Sequence, residues 1–225
     1  MNWPSVSATA RRAWRLLASV MLASVCAACA HVNPYYDPDQ PHHTRTGFRN
    51  NYVDPFFTGS FWRWQWQRWR DGLPKPPASL AGLQPLRPDL DWLQQNRSVP
   101  AATWIGHATV LVQAGGLNIL TDPMFSERAS PVSWAGPKRK APPALRLAEL
   151  PHIDVVIVSH NHYDHLDLPS LKALNAQRGG PPLFLMPLGV GDWLREQGID
   201  HVAQLDWWQS RSVGGTKMHF VPVQH

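Results

Sequence analysis

The 225-residue chain is 44% hydrophobic and 16% charged, which supplies apolar material for a packed core and excludes wholesale disorder. The formal net charge of +5 includes Arg11, Arg12 and Arg15, which lie in a leading stretch without acids; setting these 3 aside leaves 18 basic against 16 acidic residues and argues against nucleic-acid binding. No G-x-y run, sustained heptad or internal repeat occurs, so collagen, coiled-coil and solenoid architectures are excluded.

Residues 1–30 read as an export signal. The three arginines form a basic leading region, and residues 16–28, LLASVMLASVCAA, form an apolar stretch too short to span a bilayer. Both cysteines, Cys26 and Cys29, fall here, so no disulfide framework holds the fold. Ala27-Ala28-Cys29 resembles a bacterial lipobox, with Cys26 where such boxes carry Leu, and Ala28-Cys29-Ala30 also fits a small-residue cleavage site. The expectation is an exported lipoprotein anchored in a bacterial cell envelope, with a soluble periplasmic protein as the alternative.

Residues 31–102 read as a Pro- and Trp-rich arm and linker. His31 to about Pro55 is polar and predicts an extended arm, in which His42 and His43 could bind metal but are expected to be solvated, as adjacent pairs in loops usually are. In residues 61–70, FWRWQWQRWR, two periods compete. Trp62, Trp64 and Trp66 alternate as on a strand, whereas Trp62, Trp66 and Trp69 share a helical face. The segment suits either a membrane interface or packing of the arm against the main domain. Residues 73–88 are Pro-rich and read as a connector.

The domain proper is expected over residues 103–225. Residues 103–113 predict one strand, Ala114-Gly115-Gly116 a turn and residues 117–121 a second strand closed by Asp122-Pro123. Residues 125–148 are irregular, with a basic cluster at Lys138-Arg139-Lys140 that suits a solvated loop or anionic headgroups. Residues 154–159, DVVIVS, predict a strand covered on both faces. Asp167-Leu168-Pro169 opens a helix running to about Gln177; a strand over 183–186, a helix over 192–197, a strand over 201–205 and a turn at Gly214-Gly215 leading into residues 217–223 follow. Alternating strands and helices predict an α/β layered domain.

The chemistry concentrates in His160-Asn161-His162-Tyr163-Asp164-His165. Imidazole nitrogen and carboxylate oxygen are good ligands for zinc and similar divalent ions, and four such groups within six positions follow directly on a buried strand. The spacing lets His160 and His162 reach one ion while Asp164 and His165 turn toward a neighbouring one. At least three of these side chains are expected around one point. His107, in Gly-His-Ala-Thr, faces the site or sits hydrogen-bonded in the core. His152, His201 and His219 carry no motif.

HNHYDH resembles the H-x-H-x-D-H motif of the metallo-β-lactamase superfamily. Residues 103–125, Gly136-Pro137-Lys138-Arg139, SHNHYDHLD and the terminal Pro222-Val223-Gln224-His225 together resemble the N-acylphosphatidylethanolamine-hydrolysing phospholipase D group, and the resemblance runs more loosely from about Asp54 to the end. It implies a metallo-β-lactamase αβ/βα sandwich, mainly its first half, and two Zn2+ ions. His160, His162 and His225 would hold the first ion, Asp164 and His165 the second, with Asp164 also a catalytic residue. Asp122 would orient a ligand histidine from outside the coordination sphere, or else simply end its strand. The family's later bridging Asp and further His do not appear before His225, so the chain reads as a C-terminal truncation and, by itself, a weak hydrolase. The implied activity is hydrolysis of a phosphodiester in a phospholipid at a membrane surface. The alternatives are a hydrolase of the same fold acting on a sugar phosphate or lactone, a non-catalytic envelope lipoprotein with a partial metal site, and, weakest, β-lactam hydrolysis.

Overall fold

A computed structural model describes residues 32–51, 60–72 and 86–223. The stretch expected to be an export signal, with Cys29, residues 73–85 of the expected connector and the ligand candidate His225 lie outside the described residues. The chain divides between Ser60 and Phe61.

In the first unit, the stretch expected to be extended folds locally, and His42 and His43, expected to be solvated, are buried. Two short antiparallel strands, β1 (His43–Thr44) and β2 (Gly47–Phe48), form a hairpin. Asn33 organises it: its side-chain amide donates to the carbonyls of Thr44 and Gly47 at 3.2 and 2.9 Å, and its backbone N–H donates to that of Arg45 at 2.8 Å. A single Asn thus supplies partners that a Pro-rich segment could not draw from a ladder of its own.

The second unit opens with α1 (Phe61–Asp71), so the helical period of the Trp-Arg segment prevails. Helix α2 (Leu90–Gln95) follows, capped by the Asp89 carboxylate, which accepts from the Trp92 N–H at 3.1 Å. The packed body therefore begins upstream of residue 103. Leu93 of α2 is 1% exposed and joins the main core. Gln113 pins α2 to the sheet: its side-chain amide donates to the carbonyl of Leu93 at 2.8 Å and to the Asn118 side chain at 2.9 Å, and its side-chain oxygen accepts from Asn96 at 3.1 Å.

A six-stranded sheet forms the centre, in the order β3 (Ala101–Gly106), β4 (Thr109–Ala114), β5 (Leu117–Thr121), β6 (Val155–Ile157), β7 (Leu183–Pro187) and β8 (Val202–Leu205). The first three are antiparallel and the last three continue parallel from β5. The stretch expected as one strand over 103–113 is two strands, because Gly106 at φ 152° and His107 at φ 51° reverse the chain. Such backbone is accessible to Gly and costly for most other residues. The next reversal matches expectation: Gly115 and Gly116, at φ 60° and 78°, make the tight two-residue link from β4 to β5.

Helix α3 (Leu168–Asn175), with Pro169 in its first turn, connects β6 to β7, and α4 (Val190–Glu196) connects β7 to β8. Parallel neighbours need such crossovers. Strand alternation sorts the apolar side chains into two layers. Leu111, Leu120, Val156, Phe184 and Met186 face the helices with Leu171, Leu174 and Leu194, all at most 2% exposed. Leu117, Ile119, Val155, Leu183, Leu185 and Leu205 face the other way. A final hairpin, β9 (Ser210–Val213) with β10 (Thr216–His219), packs Val213 and Met218 on that second layer. The result is the α/β layered class expected from the sequence.

Replacing Gln113 with Leu keeps the volume but strands the buried carbonyls and amides it now satisfies. The expected cost is about 2–3 kcal/mol, read as a lower midpoint in urea unfolding with an unchanged slope.

Candidate metal centre

Three chain segments meet at one edge of the sheet. Strands β5 and β6 are parallel, so Asp122 after β5 and Ser159-His160 after β6 leave from the same side. Strand β4 runs against β5, which brings the β3–β4 turn with His107 to that side as well. The crevice at the carboxyl ends of parallel strands is where α/β sheets commonly place ligands. The turn is fastened there by two threonines. Thr121 Oγ1 donates to the Ala108 carbonyl at 2.8 Å, and Thr109 Oγ1 donates to the Asp122 carbonyl at 2.8 Å.

Four imidazoles stand in a row along this edge. Ring centroids are 4.7 Å apart for His162–His160, 4.1 Å for His160–His165 and 5.3 Å for His165–His107. His160 Nε2 and His162 Nδ1 are 3.1 Å apart. The loop returns on itself after His162, whose carbonyl accepts from the N–H groups of His165 and Leu166 at 2.9 and 2.7 Å, and this turn swings Asp164 and His165 toward His107. The Asp164 carboxylate accepts from His107 Nε2 at 2.9 Å and lies 3.6 Å from His165 Nε2. His107, Asp164 and His165 place one donor atom each within 4.8 Å of one another, close enough to share a metal ion. The donors thus form a pair, His160 with His162, beside a trio completed by His107 from another segment.

Asp122 ties the two groups together. Its Oδ1 accepts from the Ser159 N–H at 2.7 Å. Its Oδ2 accepts from the Ser159 hydroxyl at 2.8 Å and from His165 Nδ1 at 3.0 Å. A carboxylate only accepts, so His165 carries its proton on Nδ1 and turns the lone pair of Nε2 toward Asp164. The Ser159 hydroxyl, having donated to Asp122, accepts from His160 Nδ1 at 2.9 Å, which places the His160 lone pair on Nε2, beside His162. Holding one ring nitrogen to fix the other is how metal-binding histidines are oriented.

Burial works against ionisation of Asp164. Its own backbone N–H and the hydrogen bond from His107 outweigh that effect and hold the carboxyl below the usual carboxylate range. It is therefore an anion at neutral pH, suited to a cation.

A cavity of about 1050 Å3 opens beside the row and is bordered by His107, His162 and Asp164. Trp104, Met124, Pro142 and Tyr163 give it an apolar wall, and Lys138, Arg139 and Lys140 give it a basic rim. Arg139 is half-buried: its guanidinium donates to the Met124 carbonyl and, at 3.4 Å, to that of Ser126, which fixes the rim to the loop after β5.

Residues 117–225 match the model of the beta-lactamase superfamily domain. This segment is a beta-lactamase superfamily domain. Outside it, similarity extends further along the chain. An uncharacterized Mycobacterium tuberculosis protein is 42% identical over 154 residues, 68% of this chain and 39% of its own. The N-acyl-phosphatidylethanolamine-hydrolyzing phospholipase D 1 of Caenorhabditis elegans is 45% identical over 114 residues, 48% of this chain and 32% of its own. The mitochondrial N-acyl-phosphatidylethanolamine-hydrolyzing phospholipase D of Saccharomyces cerevisiae is 38% identical over 111 residues, 49% of this chain and 23% of its own. The chain thus spans well under half the length of these relatives.

Within this superfamily domain, His160, His162, Asp164, His165 and Asp122 lie together. The sequence alone does not single out Ser159, and it leaves His107 either facing the site or hydrogen-bonded in the core. The signal for Ser159 was a hydroxyl directly before the first histidine of the motif. For His107 it was a glycine that allows the chain to reverse just ahead of it.

Ser159→Ala removes the acceptor for His160 Nδ1 and one donor to Asp122. It is expected to weaken zinc binding about 10- to 100-fold, measured by competition with a chromogenic chelator, while Ser159→Thr keeps the hydroxyl and most of the affinity.

Proposed function

We propose that the domain is a metal-dependent hydrolase of phosphodiester bonds, working with two divalent ions, for which zinc is the best candidate. The carrying observation is the row of imidazoles and one carboxylate, with proton positions set by Asp122 and Ser159, beside a cavity with a basic rim. The donor set fits the ions in kind, since neutral imidazole and carboxylate are ligands zinc accepts. His160 and His162 would hold one ion and Asp164, His165 and His107 the other; His225 is proposed as a third ligand to the first. When bound, such ions activate water as a nucleophile and neutralise charge on phosphoryl oxygens.

The chain's own residues contribute in defined ways. Asp122 and Ser159 keep His165 and His160 in the tautomers that present lone pairs to the crevice. Asp164 stays ionised, so its carboxylate would meet the ion as an anion beside the neutral imidazoles. Lys138, Arg139 and Lys140 favour an anionic substrate at the rim, and Trp104 and Tyr163 offer flat apolar surface to whatever the phosphodiester carries. The similarity to two proteins named for hydrolysis of N-acyl-phosphatidylethanolamine supports a phospholipid as that substrate.

The test is hydrolysis of bis(p-nitrophenyl) phosphate and of N-acyl-phosphatidylethanolamine by the zinc-loaded protein. The double variant His160→Ala/His162→Ala is expected to lose about 100-fold or more in rate together with part of its bound zinc, and chelation should abolish turnover reversibly. Hydrolysis of a lactone with both phosphodiesters untouched would overturn the substrate assignment.

A further inference from the structure

Helix α1 (Phe61–Asp71) takes no part in the metal centre, and its surface has an unusual composition. Trp62, Trp66 and Trp69 recur at i, i+4 and i+7, so they share one helical face. They are 78%, 53% and 82% exposed. A stripe of three indoles turned to solvent is a large apolar patch, of the kind that marks an interaction site. Arginines border it. Arg63 and Arg70 fall beside the stripe, and the Arg70 guanidinium lies over the Trp66 ring at 4.7 Å. On the other side, Arg68 lies over Trp64 at 4.5 Å. The helix's one acid, Asp71, accepts two hydrogen bonds from Arg70 at 2.7 and 2.9 Å.

We propose that α1 is a docking surface for an anionic phospholipid membrane. Charge complementarity selects the occupant: three arginines against one acid surround the indoles, and the cytoplasmic or periplasmic face of a bilayer carrying acidic headgroups is their complement. Indole rings combine an apolar body with an N–H donor and settle at headgroup depth, where arginine stems can lie along the surface and keep their guanidinium groups on phosphates. The helix has 11 residues, about 16 Å of length, and among the described residues no helix is long and apolar enough to cross a membrane. It lies in the interface plane, as short amphipathic helices do. The proposal is independent of the phosphodiesterase reading, because membrane binding is measured without turnover.

The full chain is sedimented with vesicles of phosphatidylcholine alone or mixed with phosphatidylglycerol, at low and high salt. The wild type is expected to prefer the anionic vesicles and to lose that preference at high salt. Trp62→Ala/Trp66→Ala/Trp69→Ala should lower partitioning by about tenfold or more, and Arg63→Gln/Arg70→Gln should remove about tenfold of the anionic preference. Trp134→Ala, at a residue 80% exposed elsewhere in the chain, should change nothing. Bound zinc should be equal in all variants. Unchanged partitioning of the triple-Trp variant, or equal wild-type binding to neutral and anionic vesicles, would overturn the proposal. So would light scattering that shows the triple change dissolving a lipid-free dimer without altering vesicle binding, which would assign the stripe to a second copy of the chain.

Discussion

The Asp122 carboxylate is the constraint around which the functional edge is arranged. It is 7% exposed, and a carboxylate so placed is tolerated only when its oxygens are satisfied by donors. Here three donors do so, two from Ser159 and one from His165. The backbone at Asp122 sits at φ 36°, a conformation that costs about 1–3 kcal/mol in a residue with a side chain. The three hydrogen bonds offset that cost and give the strain a purpose: they hold one carboxylate between two loops and set the proton positions of two histidines.

A second buried carboxylate makes the arrangement reciprocal. Asp167, 5% exposed, lies at the end of the loop that follows β6 and reaches back to the loop that follows β5. It accepts from the Ser126 hydroxyl at 2.8 Å, from the Ser126 N–H at 3.1 Å and from the Ser170 hydroxyl. Asp122 thus anchors the histidine loop to the β5 side, and Asp167 anchors the β5 loop to the histidine side. Two charge-assisted clasps in opposite directions fix the separation of the segments that line the cavity. A site built this way needs little reorganisation when a cation arrives, because its ligand geometry is held by the protein rather than gathered by the ion.

The two surfaces of interest differ in kind. At the metal centre, polar groups are interlocked through buried partners, and the beta-lactamase superfamily fold supplies the sheet edge on which they stand. On α1, by contrast, aromatic and basic side chains are exposed, and their arrangement is local to a single helix. One is a product of tertiary packing and the other of helical periodicity.

That difference also separates what was legible in the sequence. Residues 154–165 declared a buried strand running into metal-binding chemistry, because an apolar run and a dense set of imidazoles are both local signals. The helix after Pro169, the Gly115-Gly116 turn and the layered α/β class were legible for the same reason: each depends on residues within a few positions of one another. The expected single strand over 103–113 failed because its apolar pattern continues through a reversal that only the backbone at Gly106 and His107 reveals. His107 and Asp164 are 57 residues apart, as the sequence counts them, and meet only because β4 and β5 are antiparallel while β5 and β6 are parallel. The competing periods of the Trp-Arg segment were also undecided in the sequence. By itself the sequence determined the chemistry available, since residue type and short spacing fix which groups can bind a cation. The tertiary structure alone decided which donors share a point and which nitrogen of each histidine faces it, because those depend on hydrogen bonds between segments far apart in the chain.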